Sequence, residues 1–379
     1  MMKRKRSSGG KVLVSSSTKT KTPKERSMNE TKYMGMDVHK AMTVIAVLNG
    51  VGKTVAEAII ETKARTILDF IKSQRGTLHV AFEEGTQAAW LYDLIKPYVA
   101  DVVVCNPRKI AQQGTKGDKP DAKRLAELLR THGLHPVYHG EQSSKALKDL
   151  GQSYSVMVGD CTRIKNRVKA LFRGRAISCA GSAVYDSEER KQWLGRLDGP
   201  AVRARASRLW EELDCLERLR AEAEADLLGE ARKHRATKIL RSIPGIGPIR
   251  AAVILGVAST PDRFRTKKQF WGYCGLGVRT VASSEYELVQ GKVSRSKRKP
   301  LVRGLNRDYN RALKEVFKGA AATVAMGPWK SHFEAMVASG IRPQLALLTL
   351  ARKIASITLA LWKKGESYDD KKLKIKHAV

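Results

Sequence analysis

From Tyr33 onward the chain reads as three short strands in immediate succession: YMGMDVH, MTVIAVLN and KTVAEAIIET. The period then changes. KARTILDFIKSQ reads as a helix, TLHVAFE as a strand, QAAWLYDLIKPY as a helix and ADVVVCNP as a strand, and DAKRLAELLRTHG reads as a helix closed by Gly133. Strands first and alternation afterwards restrict this stretch to a small α/β domain.

Acids fall where such a domain brings its strand ends together. Asp37 lies in GMDVHK, Glu84 closes TLHVAFEE, and Asp118 and Asp121 stand in GDKPDAKRLAEL. Asp37 is embedded in an apolar strand, where an unpaired carboxylate is costly unless a cation or a donor satisfies it. Asp118 and Asp121 are three apart, so one helical turn places both on one face. Pro120 fits the first helical position, which leaves Asp118 in the entry loop. Glu83 trades places with Glu84 on strand parity; Glu84 is preferred because it directly precedes Gly85-Thr86 at the strand end. A single Asp or Glu is ordinarily a solvated surface charge, so the expectation of a metal site rests on the set. Carboxylates at neighbouring strand ends suit Mg²⁺, and a pair of such ions stabilises the attacking and leaving oxygens of a phosphate. Three strands followed by alternating units is the element order of the ribonuclease H-like fold.

The charge balance names the partner class. With 71 Lys+Arg against 37 Asp+Glu in 379 residues, the formal net charge is +34. A surplus of that size implies a polyanion, and nucleic acid comes first. Residues 1–32 hold ten Lys/Arg and two Glu among Ser, Thr and Gly, and read as a flexible basic arm. Five cysteines (Cys105, Cys161, Cys179, Cys215, Cys274) form no CxxC or CxxxC pair, which argues against a zinc site or a disulfide framework and suits a reducing compartment. No apolar run of membrane-spanning length is expected, and the N-terminus has no apolar secretory core, so a soluble cytoplasmic protein is anticipated.

Residues 33–140 form the α/β domain, 141–235 a helical region, and 236–379 a third, mainly helical unit. CTRIKNRVKALFRGR carries six Arg/Lys and no acid. Along the helix after Gly199-Pro200, Leu209, Leu213, Leu216, Arg220, Ala223 and Leu227 step by four and three, a coiled-coil seam with one charged intrusion. Its two readings are a helix pairing with a second subunit and a helix packed on its own chain. IPGIGPIRAAVIL resembles a helix-hairpin-helix element, in which Gly245, Gly247 and the following helix N-terminus offer backbone N–H groups to a phosphate; the plainer reading is a tight turn between packed helices. The hydroxyl pair Ser283-Ser284 is followed by a basic run, Arg295, Lys297, Arg298, Lys299, Arg303 and Arg307, poor in acids and read as a DNA-facing surface.

Taken in order, GMDVHK, the Glu84-Gly-Thr step, DKPDAKRLA, SIPGIGPIRAA, YCGLG, RGLNR and ARKIA…LWKKGESYD resemble the IS110-type transposases, also called bridge-RNA-guided recombinases. The resemblance runs from about residue 33 to 370. It implies a RuvC-like domain with an Asp-Glu-Asp-Asp quartet (Asp37, Glu84, Asp118, Asp121) holding Mg²⁺. It also implies a C-terminal transposase domain with a serine nucleophile at Ser283, with Ser284 its near rival. The family often has Gly after that serine, where this chain has Ser284-Glu285, and it more often spells D-R-I-D where this chain has D-K-P-D. The resemblance further implies DNA as substrate, a noncoding guide RNA, and a homo-oligomer in which serine and metal come from different subunits joined by the central coiled coil. Two other readings remain: a metal-dependent nuclease or junction resolvase using water, and a basic architectural binder with structural carboxylates.

Overall fold

Alternation along β1 (Thr31–Val38) sets the two faces of the first unit: Met34 and Met36 point into one core, and Gly35 and Asp37 point to the other side. The computed structural model describes residues 31–107, 117–139, 142–281, 286–289, 292–295 and 301–370. β2 (Met42–Asn49) and β3 (Thr54–Glu61) follow as an antiparallel meander, with β1 paired to β2 and β2 to β3. α1 (Ala64–Ser73) then carries the chain across to β4 (Thr77–Glu83), which lies parallel to β1, and α2 (Ala88–Ile95) leads to β5 (Asp101–Cys105), parallel to β4. The resulting five-stranded sheet has the order β3-β2-β1-β4-β5.

One face of the sheet is dry. Met34, Met36, Ile45, Val47, Leu78, Val80, Phe82, Val102 and Val104 pack with Ile67 and Ile71 of α1 and Leu91 and Ile95 of α2. Each of these larger side chains contributes about 1.5–3 kcal/mol by leaving water. The other face carries α3 (Asp118–Arg130), whose Ala122 packs against Val44 and Ala46 of β2. Its approach to β1 is set by Gly35: a Cβ there would run into the Ala122 carbonyl and the Ala126 amide nitrogen. Only a residue without a side chain lets the helix backbone lie so close.

The chain divides into two compact units after His139. The second begins with a long antiparallel helix pair, α4 (Gln142–Arg173) and α6 (Pro200–Arg232), with the short α5 (Arg190–Gly195) between them in sequence. Cys161, Ile164, Val168 and Phe172 of α4 share a core with Val202, Ala206, Trp210 and Leu213 of α6. The Trp210 indole N–H reaches the Val184 carbonyl at 2.9 Å, so its one polar atom is satisfied inside that core.

Here the seam along α6 finds its partner. Leu213 is fully buried against α4, and Leu209 and Leu216 pack on the same cluster. Leu213 is thus covered within the chain, and Leu209 and Leu216 stay half-buried at the edge of that cluster.

The far ends of both long helices enter a different core. Leu147, Leu227 and Ala231 pack with α7 (Ala236–Arg241), α8 (Pro248–Ala258), α9 (Lys267–Tyr273), α10 (Arg311–Ala325), α11 (Lys330–Ala338) and α12 (Pro343–Lys364). No division in packing therefore falls at the boundary expected near residue 235. α12 alone among the described helices has the length and hydropathy of a membrane span. Its Leu350, Ala351, Ile354, Ala355 and Leu359 are buried in this core, as in the central helix of a globular unit.

Strands interrupt what the sequence reads as a mainly helical unit. β6 (Val278–Val281) pairs antiparallel with β9 (Leu301–Leu305), and between them β7 (Tyr286–Val289) pairs with β8 (Lys292–Arg295). The base of this insertion is tied to the helices. Asn306 donates from Nδ2 to the Gly272 carbonyl at 3.1 Å and from its amide to the Gly277 carbonyl at 2.9 Å. Arg352 of α12 donates from Nε to the Leu276 carbonyl at 2.8 Å.

Candidate active site

Two parallel strands and one helix build the site. Asp37 stands next to last in β1, and Glu83 is the last residue of β4. The parallel pairing of β1 and β4 runs as far as Met36 opposite Phe82, so the next residues along these strands are Asp37 and Glu83, on one face. That face is the α3 side, because Gly35, two residues before Asp37, is the point where α3 presses on β1. Asp118 and Asp121 occupy the first turn of α3. Contrary to the entry-loop expectation, Asp118 is already helical, with Gly117 preceding it as the cap residue.

Burial and neighbouring charge act together on these acids. The Asp37 carboxyl is held above its ordinary value, first by burial and then by the charges of Asp118 and Asp121, with His39 acting the other way. Glu83 is raised by burial and then by the charges of Asp37 and Asp121. The neighbouring Cys105 thiol is pushed up to about 12 by burial and by Glu83, and is correspondingly inert. A cation placed among these acids would offset the charges that raise Asp37 and Glu83.

Glu84 goes elsewhere. Its amide donates to the Cys105 carbonyl at 2.9 Å, and its carboxylate meets His139 Nε2 at 2.8 Å. The His139 ring stacks on Tyr92 with centroids 5.0 Å apart. Of the adjacent glutamates, Glu83 joins the aspartates and Glu84 closes a clasp with His139. Glu84 is the residue preferred from the sequence, while strand parity puts Glu83 on the face of Asp37: Leu78, Val80 and Phe82 fill the dry core, so Thr77, His79, Ala81 and Glu83 take the α3 side.

The sequence reading also passed over His39. Its Nε2 lies 3.2 Å from Asp37 Oδ2 and 3.7 Å from Asp118 Oδ1, and the three ligand atoms are all within 4.8 Å of one another. Its place two residues after Asp37 in GMDVHK was the available signal. Two aspartates and an imidazole at this spacing, with Glu83 and Asp121 beside them, are a donor set fit for a divalent cation.

Of the remaining candidates, Ser283, Ser284, Lys297, Arg298 and Lys299 lie outside the described residues. Arg295 and Arg303 have their backbones on β8 and β9, and Arg307 is exposed just after β9. The two glycines of the hairpin-like turn differ in role. Gly245 has φ +79°, and a Cβ there would come within 2.7 Å of the Ala320 carbonyl oxygen of α10. Arg250 Nη1 donates to the Gly245 carbonyl at 2.6 Å. Gly247 is exposed and caps α8 ahead of Pro248. Gly245 thus serves packing, and Gly247 is the member open to a ligand.

Comparison with known proteins agrees with this layout. A DEDD transposase profile of IS110 type matches residues 34–175, the stretch that holds all the acids described above. A second profile, described as transposase of the IS116/IS110/IS902 family, matches residues 237–305. The chain belongs to the IS110 family of transposases. Together the two matches take in more than half of it.

Among curated relatives, the transposase for insertion sequence element IS1533 of Leptospira borgpetersenii is 28% identical over 45% of this chain and 51% of its own length. The IS110 uncharacterized 43.6 kDa protein of Streptomyces coelicolor is 25% identical over 89% of this chain and 96% of its own. A probable family 20 transposase of Pseudomonas aeruginosa is 28% identical over 48% and 51%. The alignments thus span about half of the first and third relatives and nearly all of the second.

Proposed function

We propose that this IS110-family chain cuts and rejoins DNA with a serine nucleophile in the pair Ser283-Ser284 and a divalent cation held by Asp37, Glu83, Asp118 and Asp121. The observation that carries the reading is the convergence of Asp37, Glu83 and the first turn of α3 on one face of the sheet. The strand order β3-β2-β1-β4-β5, with only β2 running against its neighbours β1 and β3, supports a ribonuclease H and RuvC-like assignment for the first unit. In folds of this kind acids at the strand ends serve phosphodiester chemistry.

The chemistry divides between the two sets of side chains. The serine Oγ attacks a DNA phosphate, the Oγ–P bond forms, the bond to one sugar oxygen breaks, and the hydroxyl proton passes to solvent as that oxygen gains one. The phosphoserine link conserves the energy of the ester, and attack by a sugar hydroxyl of a second strand restores the free serine. A bound Mg²⁺ would supply charge stabilisation for the phosphate oxygens. The carboxylates hold and orient that cation, and the basic run at 295, 297–299, 303 and 307 neutralises the DNA backbone. A noncoding RNA pairing with donor and target would read sequence, leaving the protein to read backbone and shape. Subunit sharing of serine and metal is checked by mixing an Asp37→Asn protein with one carrying Ser283→Ala and Ser284→Ala. Recovery of activity supports it.

The deciding experiment traps a covalent protein–DNA adduct and maps the linked peptide. An adduct at Ser283 or Ser284 is expected. Cleavage that survives alanine at both positions, with no adduct formed, would favour the nuclease or resolvase reading with water as nucleophile.

A further inference from the structure

We propose that His39 is itself a ligand of the divalent cation, making this a mixed nitrogen–oxygen site that favours a Mn²⁺-class ion over Mg²⁺. The inference deepens the metal-binding reading above and rests on it.

Spacing supports the assignment. Ligand atoms about 2.1 Å from one ion stand roughly 3.0 Å apart when adjacent and about 4.2 Å when opposed. The separations of 3.2 and 3.7 Å from His39 Nε2 to the two aspartates fall in that interval. The third separation, between the aspartate oxygens, is at most 4.8 Å.

The backbone that presents the imidazole is also fixed. The His39 amide donates to the Met42 carbonyl at 3.0 Å, closing the turn between β1 and β2. Thr62 Oγ1 donates to the His39 carbonyl at 2.9 Å. Its only proton is thereby used, so the 2.9 Å contact between Thr62 Oγ1 and Thr43 Oγ1 has Thr43 as donor. Thr43 is one of very few fully buried polar side chains among the described residues. A hydroxyl relay that starts at the buried Thr43 and ends on the His39 carbonyl fixes the backbone from which the imidazole reaches the two aspartates.

Chemistry then sets the preference. Mg²⁺ takes oxygen ligands and keeps several waters, whereas imidazole suits first-row transition ions. A protonated His39 acting as a mere counter-charge to the two aspartates makes the opposite prediction, since its removal would free the acids for any cation.

The test titrates full-length protein with MnCl₂ and with MgCl₂, comparing wild type, His39→Ala and Asp37→Asn. Wild type is expected to bind Mn²⁺ more tightly than Mg²⁺. His39→Ala should weaken Mn²⁺ binding about 10-fold or more while changing Mg²⁺ binding far less, and Asp37→Asn should weaken both. A direct readout is nitrogen hyperfine coupling on bound Mn²⁺ that changes with ¹⁵N-histidine labelling and disappears in His39→Ala. Unchanged or tighter Mn²⁺ binding in His39→Ala, or no nitrogen coupling in wild type, overturns the inference while leaving the carboxylate site standing. Failure of wild type to bind either ion overturns the metal reading as a whole.

Discussion

Asp37 and Glu83 are neighbours across two parallel strands, one step past the Met36–Phe82 pair, and Glu83 holds its proton more tightly through burial and then through the charge of Asp37. Nothing in either strand alone requires an acid at that position. The pair exists because β1 and β4 run side by side and α3 delivers two more carboxylates to the same face. An arrangement of like charges at strand ends costs stability and is sensible only where a cation offsets it.

The first prediction separates the adjacent glutamates. Glu83→Gln removes a charge from the acidic group and should lower strand cleavage by about 100-fold or more, with divalent-cation binding weakened in titration. Glu84→Gln instead disturbs the bond to His139 and should cost on the order of 1 kcal/mol of stability, with cation binding retained. Cation affinity lost on changing Glu84 and kept on changing Glu83 would return the site to the parity first read from the sequence.

A second prediction follows from the raised carboxyls. The folded unit binds protons at Asp37 and Glu83 more tightly than the unfolded chain does, so these groups favour folding at low pH. That benefit is complete below the ordinary Asp value of 3.8 and is lost as pH rises through the elevated folded value. At neutral pH the repulsion is in full force. Asp37→Asn should therefore raise the Tm of the cation-free protein at pH 7 and reduce the further rise that MnCl₂ or MgCl₂ produces. The advantage of the variant should shrink as pH falls toward 4. A variant less stable than wild type at pH 7 without cation would show that the His39 contact outweighs the repulsion.

Much of this was legible in the residues. The strand-rich opening, the alternation after it and the positions of Asp37 on a strand and Asp121 in a helix follow from periodicity, because strands and helices announce themselves by their faces, whereas Asp118 was expected in a loop and is helical. The choice between Glu83 and Glu84 turns on one step of parity at a strand end, where the apolar Leu78, Val80, Phe82 alternation points to Glu83 and the Gly85-Thr86 that follows points to Glu84. Spacing alone does not say whose helix meets the seam along α6, and α4 of the same chain covers Leu213 while leaving Leu209 and Leu216 half-buried. The small strands from β6 to β9 escaped notice because segments of four or five residues in a basic, serine-rich stretch carry little periodic signal.

The third prediction tests the contact that brings α3 to the sheet. Gly35→Ala places a methyl against backbone atoms of Ala122 and Ala126, which have no flexible end to move aside. The helix must shift, at a cost of about 1–3 kcal/mol and about 4–8 °C of Tm per kcal/mol in a unit of this size. The same shift carries Asp118 and Asp121 away from Asp37, so cation affinity should fall together with stability. Gly85→Ala is the control, since nothing lies within 4 Å of a Cβ at that position. Equal Tm values for the two variants would remove Gly35 as the determinant of the helix position.

The fourth prediction concerns the basic run. Replacing Arg295, Lys297, Arg298 and Lys299 with glutamine removes four positive charges from a chain whose surplus is +34, so the long-range attraction to nucleic acid changes little. Direct phosphate contacts behave differently, because each releases counterions and steepens the dependence of log affinity on log salt by about 0.9 for duplex DNA. If all four residues touch phosphates, the slope should flatten by about 3–4 units and binding at low salt should weaken for every duplex sequence alike. The measurement is duplex binding across a range of salt concentrations, with Arg307→Gln as a single-charge comparison expected to change the slope by about one unit. A fourfold variant with the wild-type slope would mean that these side chains act only through bulk charge, and the DNA-facing surface would have to be sought elsewhere in the second unit.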